Sequence, residues 1–114
     1  MSAGIKTRQS GDVTIVDVAG RVTLGGGSAI FSDTARQLTA GGHKNLVFNI
    51  ADISYLDSSG LGELVASLTI VSKGGGSLKL LNPSPRVREL LKITRVDKLF
   101  QIFDNEEAAV RSFA

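Results

Sequence analysis

The sequence predicts an α/β domain in which about four helices pack on a mixed β-sheet of about five strands. Short apolar runs that suit covered strands alternate with segments whose apolar residues recur every three or four positions, as on one helix face. Two strand-like runs come first with only a turn between them, which adds an antiparallel hairpin. With 114 residues, 42% of them hydrophobic, the chain fits a single domain over residues 1–114.

The hairpin is predicted from two strand-like segments at the N-terminus. Residues 5–9 and 13–18 are rich in β-branched side chains and flank the turn Ser10-Gly11-Asp12. Residues 20–27 contain four further glycines and are expected to form a connection.

A helix and a buried strand follow. We expect Ser28 to cap the helix and Gly41-Gly42 to end it. The inward positions of this helix are Phe31, Ala35 and Leu38. Residues 45–50 form an apolar run typical of a covered strand, and residues 51–56 are expected to connect it to the next helix.

The second helix carries one apolar stripe and ends at a run of glycines. The stripe consists of Leu61, Leu64, Val65, Leu68 and Val71. Gly74-Gly75-Gly76 stops the helix, and residues 77–81 are the next strand.

The C-terminal part repeats the helix and strand alternation. Ser84 caps a third helix that has Pro85 at its first position. Its inward residues are Val87, Leu90 and Leu91. Residues 99–103 are predicted to be the last strand, and Asp104-Asn105-Glu106-Glu107 is read as a capping box. The final helix then places Ala109, Val110 and Phe113 inward.

The segment Asp57-Ser58-Ser59-Gly60-Leu61-Gly62 joins the buried strand to the second helix. Its aspartate and serines occupy the positions at which short polar side chains satisfy unpaired backbone N–H groups. The positive end of the helix dipole faces outward here, so an anion such as a phosphate would be well placed.

Residues 53–62, Ile-Ser-Tyr-Leu-Asp-Ser-Ser-Gly-Leu-Gly, resemble the signature of bacterial anti-sigma-factor antagonists, the small STAS-domain proteins of the partner-switching type. The resemblance is closest over about residues 45–72, and the order of elements agrees throughout the chain. It implies a single STAS-like domain in which Ser58, the serine after the motif aspartate, is phosphorylated by an anti-sigma factor that is also a serine kinase. The resemblance further implies that a PP2C-type phosphatase removes the phosphate and that the unphosphorylated protein binds the anti-sigma factor.

The resemblance and the helix start also indicate which residues surround the phosphorylation site. Asp57, Ser59 and Gly60 are expected to support it. The candidate partner-binding residues are Thr23, Ser54, Tyr55, Leu61 and Gly62. Gly60 and Gly62 have the alternative role of allowing close helix packing. No catalytic residue, cofactor or metal site is predicted; ATP and magnesium would belong to the kinase.

One segment departs from the family pattern. Many members carry Gly-Glu-Leu-Asp after the second strand, whereas this chain has Gly20-Arg21-Val22-Thr23. Two carboxylates beside the phosphorylation site are therefore missing, which puts the kinase contacts that they would make in question and points to a partner of a divergent type.

Composition excludes several other classes. The chain has no cysteine, and its net charge is only +2, which does not suggest nucleic-acid binding. It has no apolar leader-like segment and no run of eighteen apolar residues. We therefore expect a cytoplasmic protein with no membrane contact.

Enzymatic motifs are incomplete. His43 precedes the strand at residues 45–50 and Ser58 follows it, so roughly 20 Å separates them. Leu56 stands where a nucleophile elbow needs glycine, and Gly25-Gly26-Gly27 lacks the rest of a phosphate loop. The chain is therefore not expected to be an enzyme.

Two alternatives to the partner switch stay open. A STAS module could be a permanent subunit of a transport or sensory complex, and the same helix start could bind a nucleotide. A cluster of cations near the third helix is read as a solvated face or as a surface that steers an acidic protein. It consists of Arg86, Arg88, Lys92, Arg95 and Lys98.

Overall fold

The structure, a computed structural model, describes residues 3–25 and 27–113, and within these ranges it contains five strands and four α-helices. The strands are β1 (Gly4–Ser10), β2 (Val13–Val22), β3 (Asn45–Leu56), β4 (Ser77–Leu81) and β5 (Ile102–Phe103). The helices are α1 (Ile30–Ala40), α2 (Ser58–Lys73), α3 (Pro85–Ile93) and α4 (Glu106–Arg111). Gly26, in the predicted glycine loop, lies outside the described residues.

The strands form one mixed sheet whose spatial order, β1-β2-β3-β4-β5, is their order in the chain. β1 and β2 are antiparallel, whereas every later pair is parallel. The parallel pairs require crossover connections, which the helices supply. The predicted hairpin and the predicted mixed α/β fold are both confirmed.

The sheet separates two apolar layers. Leu46, Phe48 and Ile50 of β3 contribute to the main core, which α1, α2 and α3 cover. Val47, between them in sequence, joins a smaller cluster with Ala109 of α4. Successive strand residues face opposite sides of a sheet, so this alternation places three helices on one face and α4 on the other.

The predicted apolar stripes pack as expected. Phe31 of α1 stacks on Phe48 of β3 with ring centroids 5.4 Å apart. Leu61 and Leu64 of α2 are buried in the same core. At α3 the Ser84 side chain accepts a hydrogen bond from the Val87 N–H group. The predicted Ser84 cap of α3 and the predicted bounds of β4 are therefore confirmed.

The prediction that residues 51–56 connect a strand to a helix is wrong, because β3 continues to Leu56. β2 likewise continues through Gly20, Arg21 and Val22, which were expected to lie in a connection. The two extensions pair with each other, with Val22 opposite Leu56. Register shifts earlier in β2 interrupt the alternation of inward and outward side chains that would mark a strand in the sequence. The longer pair brings β2 directly beside the start of α2.

Two predicted caps are also wrong. α1 begins after Ala29 without a side-chain cap, because the Ser28 N–H group donates to the Thr23 carbonyl and holds Ser28 in the preceding loop. At α4 the cap is Asn105, which accepts from the Ala108 N–H group, so the expected Asp104–Glu107 box does not form.

The last strand is shorter than predicted. Residues 99–101 are not in β5, and a 3₁₀ turn at Val96–Lys98 precedes them. Phe100 is buried in the main core while Leu99 is 53% exposed. The described pairing joins Ile102 to Leu80 and Phe103 to Leu81 of β4, so β5 has two residues.

Candidate functional site

Asp57 caps α2 and connects it to the loop that follows β2. One carboxylate oxygen accepts the Gly60 N–H group at 2.9 Å, and the other accepts the Leu24 N–H group at 3.0 Å. These backbone hydrogen bonds favour the charged carboxylate and so hold the pKa of Asp57 below its ordinary value. The hydrogen bond from Gly60 has the largest effect, followed by that from Leu24. Asp57 therefore stays ionised and fixes the geometry of the turn.

Ser58 is the first residue of α2, and its side chain is exposed. Its hydroxyl forms no hydrogen bond with the part of the chain that the structure describes, so no described residue needs to release it before modification. Ser59 follows and is half-buried. Both serines lie at the helix end whose dipole favours negative charge.

The two glycines of the motif have different surroundings. A Cβ added to Gly60 would lie 2.4 Å from the Val22 carbonyl oxygen and 2.7 Å from Leu56 Cδ1. Gly60 is therefore the residue that allows α2 to start against the β2–β3 pair. Gly62 is exposed, and nothing lies within 4 Å of its added Cβ. Close packing thus explains Gly60 and does not explain Gly62.

The surface before Ser58 is formed by the ends of β2 and β3. Ser54 is exposed, and Tyr55 is 38% exposed. The Arg21 guanidinium lies over the Tyr55 ring, 4.9 Å from its centroid, in a cation–π contact. The contact places a cation beside Tyr55, two residues before the Asp57 cap. The sequence reasoning noted Arg21 only as a departure and missed this contact.

The remaining candidate partner residues differ in accessibility. Thr23 is half-buried at the start of the loop after β2, and Gly62 is exposed. Leu61 is only 7% exposed and packs in the main core, so little of its side chain is available at the surface. The sequence reasoning also missed Leu24, whose N–H group contacts Asp57, because backbone donors leave no sequence signal.

No group of acids or histidines in residues 3–25 and 27–113 has the arrangement of a metal site. Glu63 accepts a hydrogen bond from Ser32 and links α2 to α1. His43 Nδ1 lies 2.9 Å from the Thr14 hydroxyl, and His43 precedes the first residue of β3. Ser58 follows the last residue of β3, at the opposite end of the strand. The structure therefore does not bring His43 and Ser58 together as a catalytic pair.

The STAS domain family profile matches residues 4–109. Over 62 residues the chain is 42% identical to the anti-sigma-B factor antagonist of Bacillus subtilis. That alignment covers 54% of this chain and 57% of the relative, so the match spans little more than half of either protein.

Solved structures share the fold over nearly the whole chain. A crystal structure of an anti-sigma factor antagonist homologue from Thermotoga maritima gives a TM-score of 0.85 at 21% identity, covering 95% of this chain and 92% of the other. The anti-sigma factor antagonist SpoIIAA in its unphosphorylated form gives 0.78 at 20% identity, covering 96% of each chain. The phosphorylated form from Bacillus gives 0.72 at 18% identity, covering 97% and 100%.

Within the described ranges, no helix is both long enough and apolar enough to cross a membrane.

The five-stranded mixed sheet and its four helices agree with the fold of these structures. The profile match covers the hairpin, the motif turn and every later strand. The chain therefore belongs to the STAS domain family.

Proposed function

We propose that this chain is an anti-sigma-factor antagonist in a partner switch, controlled by phosphorylation of Ser58. Unphosphorylated protein binds an anti-sigma factor that is also a serine kinase, which frees the sigma factor. Phosphorylation releases the kinase, and a PP2C-type phosphatase resets the protein. The observation that carries this proposal is the exposed Ser58 hydroxyl at the start of α2, inside the antagonist motif.

The contact surface consists of the switch turn and its neighbours. Ser54, Tyr55 and Gly62 are exposed and close to Ser58 in the sequence, and half-buried Thr23 precedes Leu24, whose N–H group binds Asp57. Leu61 supports this surface from beneath. In support, the chain is similar in sequence to the Bacillus subtilis anti-sigma-B factor antagonist, and SpoIIAA, which shares the fold, has been solved in both phosphorylation states.

The phosphate acts on binding more than on folding. A phosphoserine carries about −1.5 to −2 charges at neutral pH. At a helix start such a charge is favoured by about 0.3–1 kcal/mol, so the fold accepts it. Buried against a partner that offers no new cation, the same charge costs several kcal/mol. Since about 1.4 kcal/mol changes affinity tenfold, the interface decides the outcome.

Variants at Ser58 test the proposal directly. Ser58→Ala should stay bound to the anti-sigma factor in the presence of ATP, whereas Ser58→Asp should bind at least about tenfold more weakly. Calorimetric titration with the anti-sigma factor measures both affinities. Equal affinities for the two variants would contradict the proposal.

Ser59 supplies the matched control. Ser59→Ala should still be phosphorylated when incubated with ATP and a soluble extract of the host, and mass mapping should locate the phosphate on Ser58. Loss of the phosphate in Ser59→Ala but not in Ser58→Ala would assign the site to the neighbouring hydroxyl.

The same incubation separates this proposal from a permanent STAS subunit of a larger complex. A permanent subunit would keep its partners whether or not ATP is present, whereas a partner switch loses them on phosphorylation. The chain itself is proposed to have no enzymatic activity, to act in the cytoplasm, and to bind neither nucleic acid nor membrane.

A further inference from the structure

The loop after β2 presents an exposed leucine next to the phosphorylation turn. Leu24 is 77% exposed, more than Ile93 of α3 at 67% or Leu99 at 53%. The Leu24 N–H group lies 3.0 Å from a carboxylate oxygen of Asp57, and Asp57 directly precedes Ser58 in the chain. A partner that covers Ser58 therefore meets a large apolar side chain close to that serine.

The loop holds Leu24 in a defined place. The Ser28 N–H group donates to the Thr23 carbonyl at 3.0 Å, and Thr23 forms an isolated β-bridge with Gly27. Gly25 and Gly27 have φ values of 75° and 99°, a backbone conformation that favours glycine, so the chain can turn back within a few residues. A side chain on a loop that is already closed loses less conformational freedom when a partner covers it.

Asp57 has one more acceptor than a helix cap needs. The caps of α3 and α4 are Ser84 and Asn105, and each accepts one backbone N–H group through its side-chain oxygen. Asp57 caps α2 in the same way, with one oxygen on the Gly60 N–H group. Its second oxygen accepts the N–H group of Leu24, which lies 33 positions earlier in the chain. Neither serine nor asparagine has a second side-chain oxygen, so the carboxylate serves the loop as well as the helix.

Charge does not distinguish this surface, whereas the leucine does. Residues 22–29 include no charged side chain. The charged residues Arg21 and Asp57 flank the loop with opposite sign: Arg21 lies over the Tyr55 ring, and Asp57 accepts the two N–H groups. A partner that contacts the loop therefore recognises its backbone and the side chain of Leu24, which requires an apolar surface on the partner.

We propose that Leu24 is a specificity-determining contact with the anti-sigma factor and that Asp57 is the positioning residue that presents it. The leucine enters an apolar recess of the anti-sigma factor, while the same partner covers Ser58. This inference rests on the proposed function and adds the chemistry of the partner surface. Because Arg21 and Thr23 replace the two carboxylates of the family pattern, this loop suits an apolar contact better than an ion pair with a cationic partner.

Substitutions of Leu24 test the contact. Leu24→Ser should weaken binding of the unphosphorylated protein to the anti-sigma factor at least about tenfold in calorimetric titration. Leu24→Met, which keeps an apolar side chain of similar volume, should retain affinity within about threefold. Leu99→Ser is the matched control and should not change affinity, because Leu99 lies beside Ser72 and Gly76, at the other end of α2 from Ser58. Circular dichroism checks that the variants are folded.

A double-mutant cycle tests the positioning role of Asp57. Asp57→Asn leaves one side-chain oxygen for two N–H donors, and we expect the buried Gly60 to keep it while the exposed Leu24 loses it. Asp57→Asn should weaken binding about three- to fivefold when Leu24 is present, and less than about twofold in the Leu24→Ser background. Equal losses in the two backgrounds would overturn the positioning role, because Asp57 would then act independently of Leu24.

The exchange rate of the Leu24 amide with water, measured by NMR at neutral pH, needs no partner. The hydrogen bond to Asp57 should slow this exchange in the unmodified protein. Asp57→Asn should raise the rate at least about fivefold at Leu24 and less than about twofold at the buried Gly60. An unchanged rate at Leu24 would contradict the proposed positioning.

The outcomes separate this inference from the proposed function. If Ser58→Asp loses the anti-sigma factor while Leu24→Ser binds it normally, the inference is overturned and the proposed function stands. If the unmodified protein does not bind the anti-sigma factor, the proposed function fails and this contact fails with it. If Leu24→Ser removes a self-association seen by analytical ultracentrifugation and leaves the affinity for the anti-sigma factor unchanged, the leucine serves a second copy of the chain and the inference is overturned.

Discussion

Gly60→Ala is expected to destabilise the protein by about 1–2 kcal/mol, although alanine is the better helix former. The new Cβ would lie 2.4 Å from the Val22 carbonyl oxygen, 2.7 Å from Leu56 Cδ1 and 2.9 Å from Val22 Cγ1. All three atoms belong to the paired strands β2 and β3, and the Val22 oxygen already accepts the Asp57 N–H group. The start of α2 or the strand ends beside it must therefore shift to admit the new methyl group.

The size of the effect follows from two opposing contributions. Overpacking a well-filled site costs about 1–3 kcal/mol. Replacing glycine by alanine in a helix returns up to about 1 kcal/mol, and less in the first turn. For a domain of this size the difference corresponds to a decrease of about 4–8 °C in Tm. Thermal unfolding followed by circular dichroism, with urea unfolding for the free energy, measures it.

Gly62→Ala is the matched control on the same helix. No heavy atom lies within 4 Å of its added Cβ, so only the gain in helix propensity remains. We expect Gly62→Ala to be neutral or to stabilise the protein by up to about 1 kcal/mol. Our account of the α2 start would be refuted if Gly60→Ala were as stable as the unmodified protein, or if the two substitutions destabilised it equally.

Two further predictions concern the polar network between β1, β2 and α4. Arg8 donates to Asp17 and Glu106, so Arg8→Gln should lower the free energy of unfolding by about 1 kcal/mol, measured in urea at pH 7. These bonds hold the pKa values of both carboxyl groups below their ordinary values of 3.8 and 4.5. The stabilisation from these carboxylates should be fully present above their ordinary pKa values. It should be lost as the pH falls through their lowered pKa values in the folded protein. Urea unfolding between pH 3 and 7 should show a weaker acid dependence in Arg8→Gln; an unchanged dependence would contradict the assignment.

Much of the fold is predictable from local patterns in the sequence. Strands such as β4 and helices such as α3 have clear bounds, because turn residues and caps flank them. The errors arise where distant pairing overrides local pattern. Residues 51–56 join β3 because β2 extends beside them, and Ser28 fails to cap α1 because Thr23 binds its N–H group. The local sequence around residues 51–56 does not indicate that β2 pairs with them, and the sequence around Ser28 does not indicate its hydrogen bond to Thr23.

The candidate site divides in the same way. The position of Ser58 at a helix start follows from the motif, since an apolar run precedes it and a helical stripe follows. The contact of Arg21 with Tyr55 does not, because these residues are 34 positions apart and meet only through the register of β2 and β3. The exposure of Ile93 depends on which side of α3 faces the sheet, and the helical period alone leaves that choice open.

The surroundings of Ser58 also determine where the effect of a phosphate is exerted. Asp57 already accepts the Gly60 N–H group, and Gly60 is held against Val22, so the first turn of α2 has little freedom to close around a new anion. A phosphate on Ser58 therefore remains at the surface, where water and ions solvate it at small cost to the fold. That solvation is lost when a partner covers the turn, and the cost appears in the binding equilibrium. In the proposed switch, an already capped helix start lets one modification change the partner without changing the fold.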